Sequence, residues 1–287
     1  MQGLLQYVVN GLILGGIIGL TAIGLTLVYG ILRLANFAHG DYLTIGAYLA
    51  YLYSVTLGMS MPAAFAAAIA SSAAMAVAID RMVWRPMRRR RAGLIPLLIT
   101  SIGVAFVLRN LVILLWGNAI RTYGYVVEEG MEIYGLRITA VQLWILVSVF
   151  LLMFLVHYLL TYTRLGKAMR AAADNTDLAE VSGIDVEGVI TRTWLIAAAL
   201  ACTGGIMLGL DTHIKPIMGW SLLLPIFAAV ILGGIGNPYG AIAGGMIIGM
   251  SQELSVIVIP AHYKPAVSFA IMIAILFLRP EGLFGRR

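Results

Sequence analysis

Side chains able to do chemistry are scarce in this sequence, and they are scattered. The four histidines, His39, His157, His213 and His262, share no H-E-x-x-H or other metal-ligand spacing. No G-x-S-x-G nucleophile turn is present. The stretch GGIGNPYG, residues 233–240, is as glycine-rich as a phosphate loop. It lacks the following Lys-Ser/Thr and a strand–helix setting, so phosphate binding is not expected there. Cys202 is the only cysteine, which excludes an internal disulfide and a cysteine-based metal site and carries no information on redox compartment. An intramembrane enzyme would need a nucleophile–base pair or a metal constellation, and the sequence offers neither.

The remaining candidates are ionisable or polar residues inside apolar surroundings, each of which is a functional candidate because of what it costs there. The stretch ANFAHGD, residues 35–41, places Asn36, His39, Gly40 and Asp41 together. Two readings are open: a solvated turn between two spans, or a polar rim of a translocation route, since irregular backbone at membrane depth is tolerated where it lines a cavity. GGIGNPYG, with Gly233, Gly234 and Gly236, is the second such break and joins the pathway candidates. Arg109 stands about 15 residues into its span, roughly 22 Å along a helix axis, where snorkelling to the outer interface is expected. Asp80 and Arg33 fall at span ends. Glu253 is the acid a proton-coupled carrier would use, but Pro260 follows closely, which puts Glu253 within reach of an interface. No relay of Asp, Glu and His crosses the chain, as a proton-driven carrier usually requires.

The elements that must position these residues are membrane helices. The 287 residues are 61% hydrophobic and 11% charged, with a mean hydropathy of +0.96. A soluble domain carries roughly 25% charged residues, so this chain cannot cover a water-facing surface. A spanning helix needs about 20 apolar residues. Candidate spans are Leu4–Leu32, Phe37–Leu57, Met61–Ile79, Leu94–Trp116, Ile138–Leu160, Thr193–Leu210, Leu222–Leu232, Tyr239–Ile259 and Ala266–Leu278. Leu222–Leu232 is too short to cross alone at about 1.5 Å per residue and reads as a half-helix or part of a broken hairpin. The expectation is an all-α polytopic protein: one transmembrane domain over 1–287, with eight or nine crossings and broken or re-entrant segments. The N-terminal run lacks a basic n-region and is too long for a cleaved leader, so it is expected to remain as a span.

Orientation follows Lys and Arg. RMVWRPMRRRRA (81–92), the Arg164–Arg192 stretch and the tail RPEGLFGRR hold 13 of the 19 basic residues. Cytoplasmic loops are therefore expected at about 81–92 and 161–192, and the acidic loop at about 117–137 is placed outside. The same clustering accounts for the net charge of +6 without nucleic acid as a partner. Small-xxx-small spacings at Gly11/Gly15/Gly19, Gly205/Gly209, Gly240/Gly244 and Gly245/Gly249 allow close helix approach, either within the bundle or with a second membrane chain. The two breaks, each between a span and a small-residue span, have the form of paired broken segments in a transporter.

One charged passage interrupts this pattern: RLGKAMRAAADNTDLAEVSGIDVEGVITR, residues 164–192. Arg164, Lys167 and Arg170 are expected to extend the preceding span, and Arg170 and Asp174 are spaced i,i+4. Asn175 is a good N-cap and Asp177 suits the first turn, so a helix is expected over Thr176–Ser182, stopped by Gly183 in a left-handed turn. Leu178 and Val181 share a face of this helix. Two turns are not stable alone in water, so the helix must fold onto the bundle or enter a groove on a soluble partner.

The passage resembles the cytoplasmic coupling loop of ABC-transporter permeases, with Gly166 inside the same motif. The stretches ANFAHGDYLTIGAYLA, VWRPMRRRR, RLGKAMRAAADNTDLAEVSGI, AAVILGGIGNPYGAIAGGMIIGMSQEL and YKPAVSFAIMIAILFLRPEGLFG together resemble the branched-chain or neutral amino-acid permeases of the LivH type, from end to end. Asp41 departs from the glutamate found in many relatives and keeps the charge. The resemblance implies a non-enzymatic subunit of an importer in a prokaryotic inner membrane. It also implies a second, similar permease, two ATPase subunits holding ATP and magnesium, and an extracytoplasmic binding protein. The solute would be a branched-chain or other neutral amino acid; urea and short amides are served by relatives. A passive channel for a small neutral solute is the alternative, and it would need no docking helix.

Overall fold

In a computed structural model the chain is described over residues 2–124, 130–133 and 136–285. Its helices are α1 (Gln2–Leu32), α2 (His39–Tyr51), α3 (Met61–Ile79), α4 (Arg85–Arg89), α5 (Leu94–Trp116), α6 (Ala140–Tyr162), α7 (Arg164–Asp174), α8 (Thr176–Val181), α9 (Val186–Asp211), α10 (Met218–Gly233), α11 (Pro238–Ser255) and α12 (Lys264–Leu278). A short antiparallel pair, β1 (Met131–Ile133) and β2 (Leu136–Ile138), lies between α5 and α6. Among the described residues six helices are long and apolar enough to cross a membrane. Glu128 and Glu129 of the acidic loop, and Arg286 and Arg287 of the tail, lie outside the described residues.

Helix ends follow local chemistry where caps are strong. Thr139 and Gln142 form a reciprocal capping box at the start of α6. Asn237 caps α11, its Oδ1 accepting from the Tyr239 and Gly240 amides at 3.0 and 3.1 Å, with Pro238 at the first helical position. The structure corrects one expectation and refines two. Arg164, Lys167 and Arg170 do not prolong α6: Thr163 takes an extended conformation and its hydroxyl accepts from the Gly166 amide at 3.0 Å, so α7 is a new helix. Residues 186–192 are not loop, because Asp185 caps α9 through the Gly188 amide and the charged first turn of α9 stands at the bundle end. The 81–92 segment is largely helical too. From Asp80 to Trp84 the chain continues α3 as a π-helical turn into α4, and Trp84 stacks on Trp194 of α9 with centroids 6.0 Å apart.

Tertiary contacts fix the direction of the helices. Gln6 near the start of α1 bonds to the carbonyl of Arg137, just before α6. Arg33 just after α1 reaches the carbonyl of Ala173 in α7. So α1 and α6 run parallel, from the end that carries β1–β2 to the end that carries α7 and α8. The basic α3–α4 end also sits at the α7–α8 end: Arg85 and Arg88 pair with Glu187 in the first turn of α9 at 3.2 and 3.3 Å. The arginines of α4 and the basic residues of α7 therefore gather at one end of the bundle.

The core is built from two similar halves. α1 packs along α11 and α9 packs along α3, so the first helix of each half is clasped by the third helix of the other. α5 lies against α2 as α12 lies against α10. α1 begins at the β1–β2 end and α9 at the α7–α8 end, so the halves run in opposite senses, as in inverted-repeat transporters. Two of the expected glycine spacings, Gly11/Gly15/Gly19 and Gly245/Gly249, serve this clasp. A Cβ on Gly245 would strike the backbone of Gly19, and one on Gly249 the backbone of Gly15, so α1 and α11 touch along their main chains.

Candidate functional site

The two short helices α2 and α10 begin inside the bundle, not at its ends. After α1 the chain turns back as an extended segment from Arg33 to Phe37, and α2 starts at His39, level with Thr21 near the middle of α1. The N-terminal turn of α10 meets that of α2. A Cβ on Gly40 would collide with the Gly219 carbonyl, and one on Gly219 with the Gly40 carbonyl. The Gly219 amide donates to Thr44 Oγ1 at 3.0 Å. Only residues without a side chain permit this crossing. The positive ends of two helix dipoles therefore lie side by side in the core.

Exposed backbone at this depth must find partners. Ser101 of α5 supplies them: its Oγ accepts from the Phe37 amide at 3.2 Å and approaches the Ala35 carbonyl at 3.3 Å. Asn36 Oδ1 accepts from the Ala38 amide at 3.1 Å, while its Nδ2 is buried without a partner. His39 Nε2 lies 2.9 Å from the Thr21 carbonyl, so that nitrogen carries the proton. Asn36, His39 and Asp41 are all buried, which removes the reading of this segment as a solvated turn.

Asp41 occupies the first turn of α2 and is 1% exposed. It binds Arg109 side-on, with Nε to Oδ1 and Nη2 to Oδ2 both at 3.2 Å. The Arg109 guanidinium lies 4.4 Å from the ring centroid of Trp220 in α10. One ion pair thus ties α2, α5 and α10 together. The expectation that Arg109 snorkels to an interface is incorrect: its side chain is 12% exposed and committed to Asp41. Desolvation is the reason, since each charge alone in this environment costs several kcal/mol.

The second break is a packed turn. Gly233 closes α10 against Gly240, Gly234 and Gly236 adopt φ of +99° and +87°, and the Gly236 amide donates to Thr26 Oγ1 at 2.9 Å. The C-terminal segment lies over it, with Asn237 Nδ2 donating to the Phe284 carbonyl at 3.0 Å.

The α7–α8 arm is built differently. α7 buries Gly166, Met169 and Ala172 against the bundle, and Arg170 Nη1 donates to the Leu160 carbonyl, while Arg164, Lys167 and Asp174 stay exposed. Asn175 Oδ1 accepts from the Leu178 amide at 3.0 Å and starts α8. Gly183 follows with φ +85°. α8 buries only Ala179. Leu178 and Val181 are 64% and 86% exposed.

The family model described as branched-chain amino acid transport system / permease component matches residues 7–276. The chain belongs to this family. It is 38% identical to the high-affinity branched-chain amino acid transport system permease protein BraD of Pseudomonas aeruginosa, over 98% of this chain and 96% of that one. It is 36% identical to LivH, the corresponding permease protein of Escherichia coli K12, over the same shares of the two chains. Among solved structures it is similar to PsaBC from Streptococcus pneumoniae in complex with Fab, with a TM-score of 0.51, 14% identity and 95% and 91% of the two chains covered. That likeness concerns the fold alone.

Sequence reasoning missed the Arg109 partnership and the Gly40–Gly219 crossing. A usable signal existed for the first: Asp41 and Arg109 are opposite charges within apolar spans, and such charges pair. Nothing local signals the second. Among the described residues no three His, Cys, Asp or Glu converge as metal ligands.

Proposed function

We propose that this permease is a membrane subunit of an ATP-driven importer for branched-chain or other neutral amino acids, in the cytoplasmic membrane of a prokaryote. It crosses nine times, with its N-terminus outside. It pairs with a second, similar permease. Two ATPase subunits carry ATP and magnesium below, and an extracytoplasmic binding protein delivers solute above. Asn36, His39, Gly40 and Asp41, with Gly233, Gly234 and Gly236, form the hinge region of the pathway, and α8 is the handle through which the ATPases move it.

The observation that carries this reading is α8: a capped helix at the basic end, with Leu178 and Val181 turned to water. An apolar pair held outward by its own cap and stop signals serves a partner's groove. A passive channel has no use for it. The test is uptake of labelled leucine into vesicles carrying the permease with its ATPases and binding protein. Accumulation against a gradient that needs internal ATP, and that persists with a protonophore while ATP is held constant, is expected. Equilibration without ATP would replace this reading with the channel.

A further inference from the structure

At the outer end, between α1, α9, α10, α11 and α12, lies a cavity of about 550 Å³. That is within the size range of small-molecule sites. Its walls are of two kinds. Leu14, Leu208, Leu222 and Pro225 make an apolar side. The same cavity is lined by Asp211, at the end of α9, and Lys264, at the start of α12.

The charges here are not balanced as they are at Asp41–Arg109. Lys264 Nζ gives one short bond, 2.6 Å, to Glu253 Oε1. An ammonium has three donors, so two remain. Asp211 accepts one bond, from Gln142 Nε2 at 3.2 Å on Oδ1, and among the described residues no cation touches it, Lys264 acting on it only from farther away. Gln142 is itself held in place by the capping box with Thr139. The cavity therefore presents an ammonium with spare donors, and a fixed carboxylate that the same ammonium reaches only at longer range, beside an apolar wall.

We infer that this cavity binds the zwitterionic head of a neutral amino acid, as the first contact of the solute with the permease. The inference rests on the importer reading above. The solute ammonium sits on the free Asp211 oxygen, its carboxylate takes the spare Lys264 donors, and its side chain lies on Leu208, Leu222 and Pro225. Both contacts are charge-assisted and strengthened in a partly desolvated site. The apolar wall discriminates weakly among similar side chains, so the site reads the head group and leaves side-chain choice to the binding protein. A phospholipid with an ethanolamine head carries the same two charges, and the test separates the two sources.

The experiment uses the assembled importer in nanodiscs of phosphatidylglycerol and phosphatidylcholine, without ATP or binding protein. L-leucine, N-acetyl-leucine and leucinamide are titrated in turn, and wild-type ATP-driven uptake is measured in parallel. Leucine is expected to bind at least tenfold more tightly than either analogue, because each lacks one charge of the pair. Asp211→Asn should weaken leucine binding at least tenfold and Asp211→Glu should restore most of it. Leu222→Trp, which fills the apolar side, should weaken binding without touching a charge. Equal binding of the three compounds, or leucine binding unchanged in both Asp211→Asn and Leu222→Trp, overturns the inference. So does wild-type uptake of leucine with no leucine binding; in that case the importer reading stands. Leucine binding that appears only when phosphatidylethanolamine is left out assigns the cavity to lipid instead. No ATP-driven uptake of any neutral amino acid by the wild type would instead overturn the importer reading.

Discussion

The crossing of α2 and α10 and the α7–α8 arm both depend on glycine and on polar caps, yet they are finished in opposite ways. At the crossing, carbonyls meet glycine, Asp41 meets Arg109, and Trp220 covers the guanidinium. Nearly every group is answered within the chain. On the arm, Asn175 and Gly183 define a helix that leaves Leu178 and Val181 largely exposed. The difference teaches where the chain is closed and where it is left open. A close-packed crossing does not deform gradually, so under the proposed function the two halves would move as bodies about it. Under the same proposal the arm is completed by a partner's surface.

The largest effect should come from filling the crossing. Gly40→Leu or Gly219→Val drives a side chain into backbone that cannot withdraw, and overpacking of this kind costs on the order of 3 kcal/mol or more. Little folded permease is expected in detergent, as judged by size-exclusion profile and melting temperature. The matching change on the arm, Gly183→Ala, strains one left-handed residue, at about 1–2 kcal/mol, and should leave the melting of the bundle unchanged. Comparable losses at the two sites would erase the contrast.

Next in size is the ion pair. Arg109→Leu leaves Asp41 buried without its cation, at a cost of about 3–5 kcal/mol. Asp41→Asn alone leaves Arg109 in the same position. The double variant removes both charges and should recover much of the stability, so a thermal-melting double-mutant cycle should show strong coupling. Additive losses would mean that the two residues act independently.

A smaller and local effect is expected at the cap. Asn175→Ala removes the side chain that accepts from the Leu178 amide, worth about 1 kcal/mol to the helix. Amide exchange should quicken across residues 176–181 and remain as in wild type in α2 and α10.

What could be read from the sequence follows the range of the forces involved. Leu94–Trp116 has the same limits in sequence and structure, because a predominantly apolar run, broken by few polar residues such as Arg109, is bounded by Gly93 and Gly117. The α8 cap and its stop are set by residues within four positions of each other, and both were legible. The Thr163 break was not. The Thr163 hydroxyl both donates to the Leu159 carbonyl, as in a continuing helix, and caps α7, so its presence in the sequence does not by itself mark a break. The Asp41–Arg109 pair joins residues 68 positions apart, and the Gly40–Gly219 crossing joins the two halves of the chain. Such contacts leave no local trace beyond the type of residue, which is why the pathway candidates were found by composition while their geometry was not.

The smallest effect on the chain itself should accompany the largest effect on transport. Leu178→Glu and Val181→Glu place charges where the side chains already face water, so the purified permease should melt as wild type does. In the assembled importer the same charges would be forced into an apolar groove. The most direct measurement is co-purification of the ATPase subunits together with ATP-driven leucine uptake for the L178E/V181E double variant. The proposed role of α8 predicts a stable, monodisperse permease that retains little ATPase and takes up leucine only at background. Wild-type uptake with both substitutions in place would contradict it.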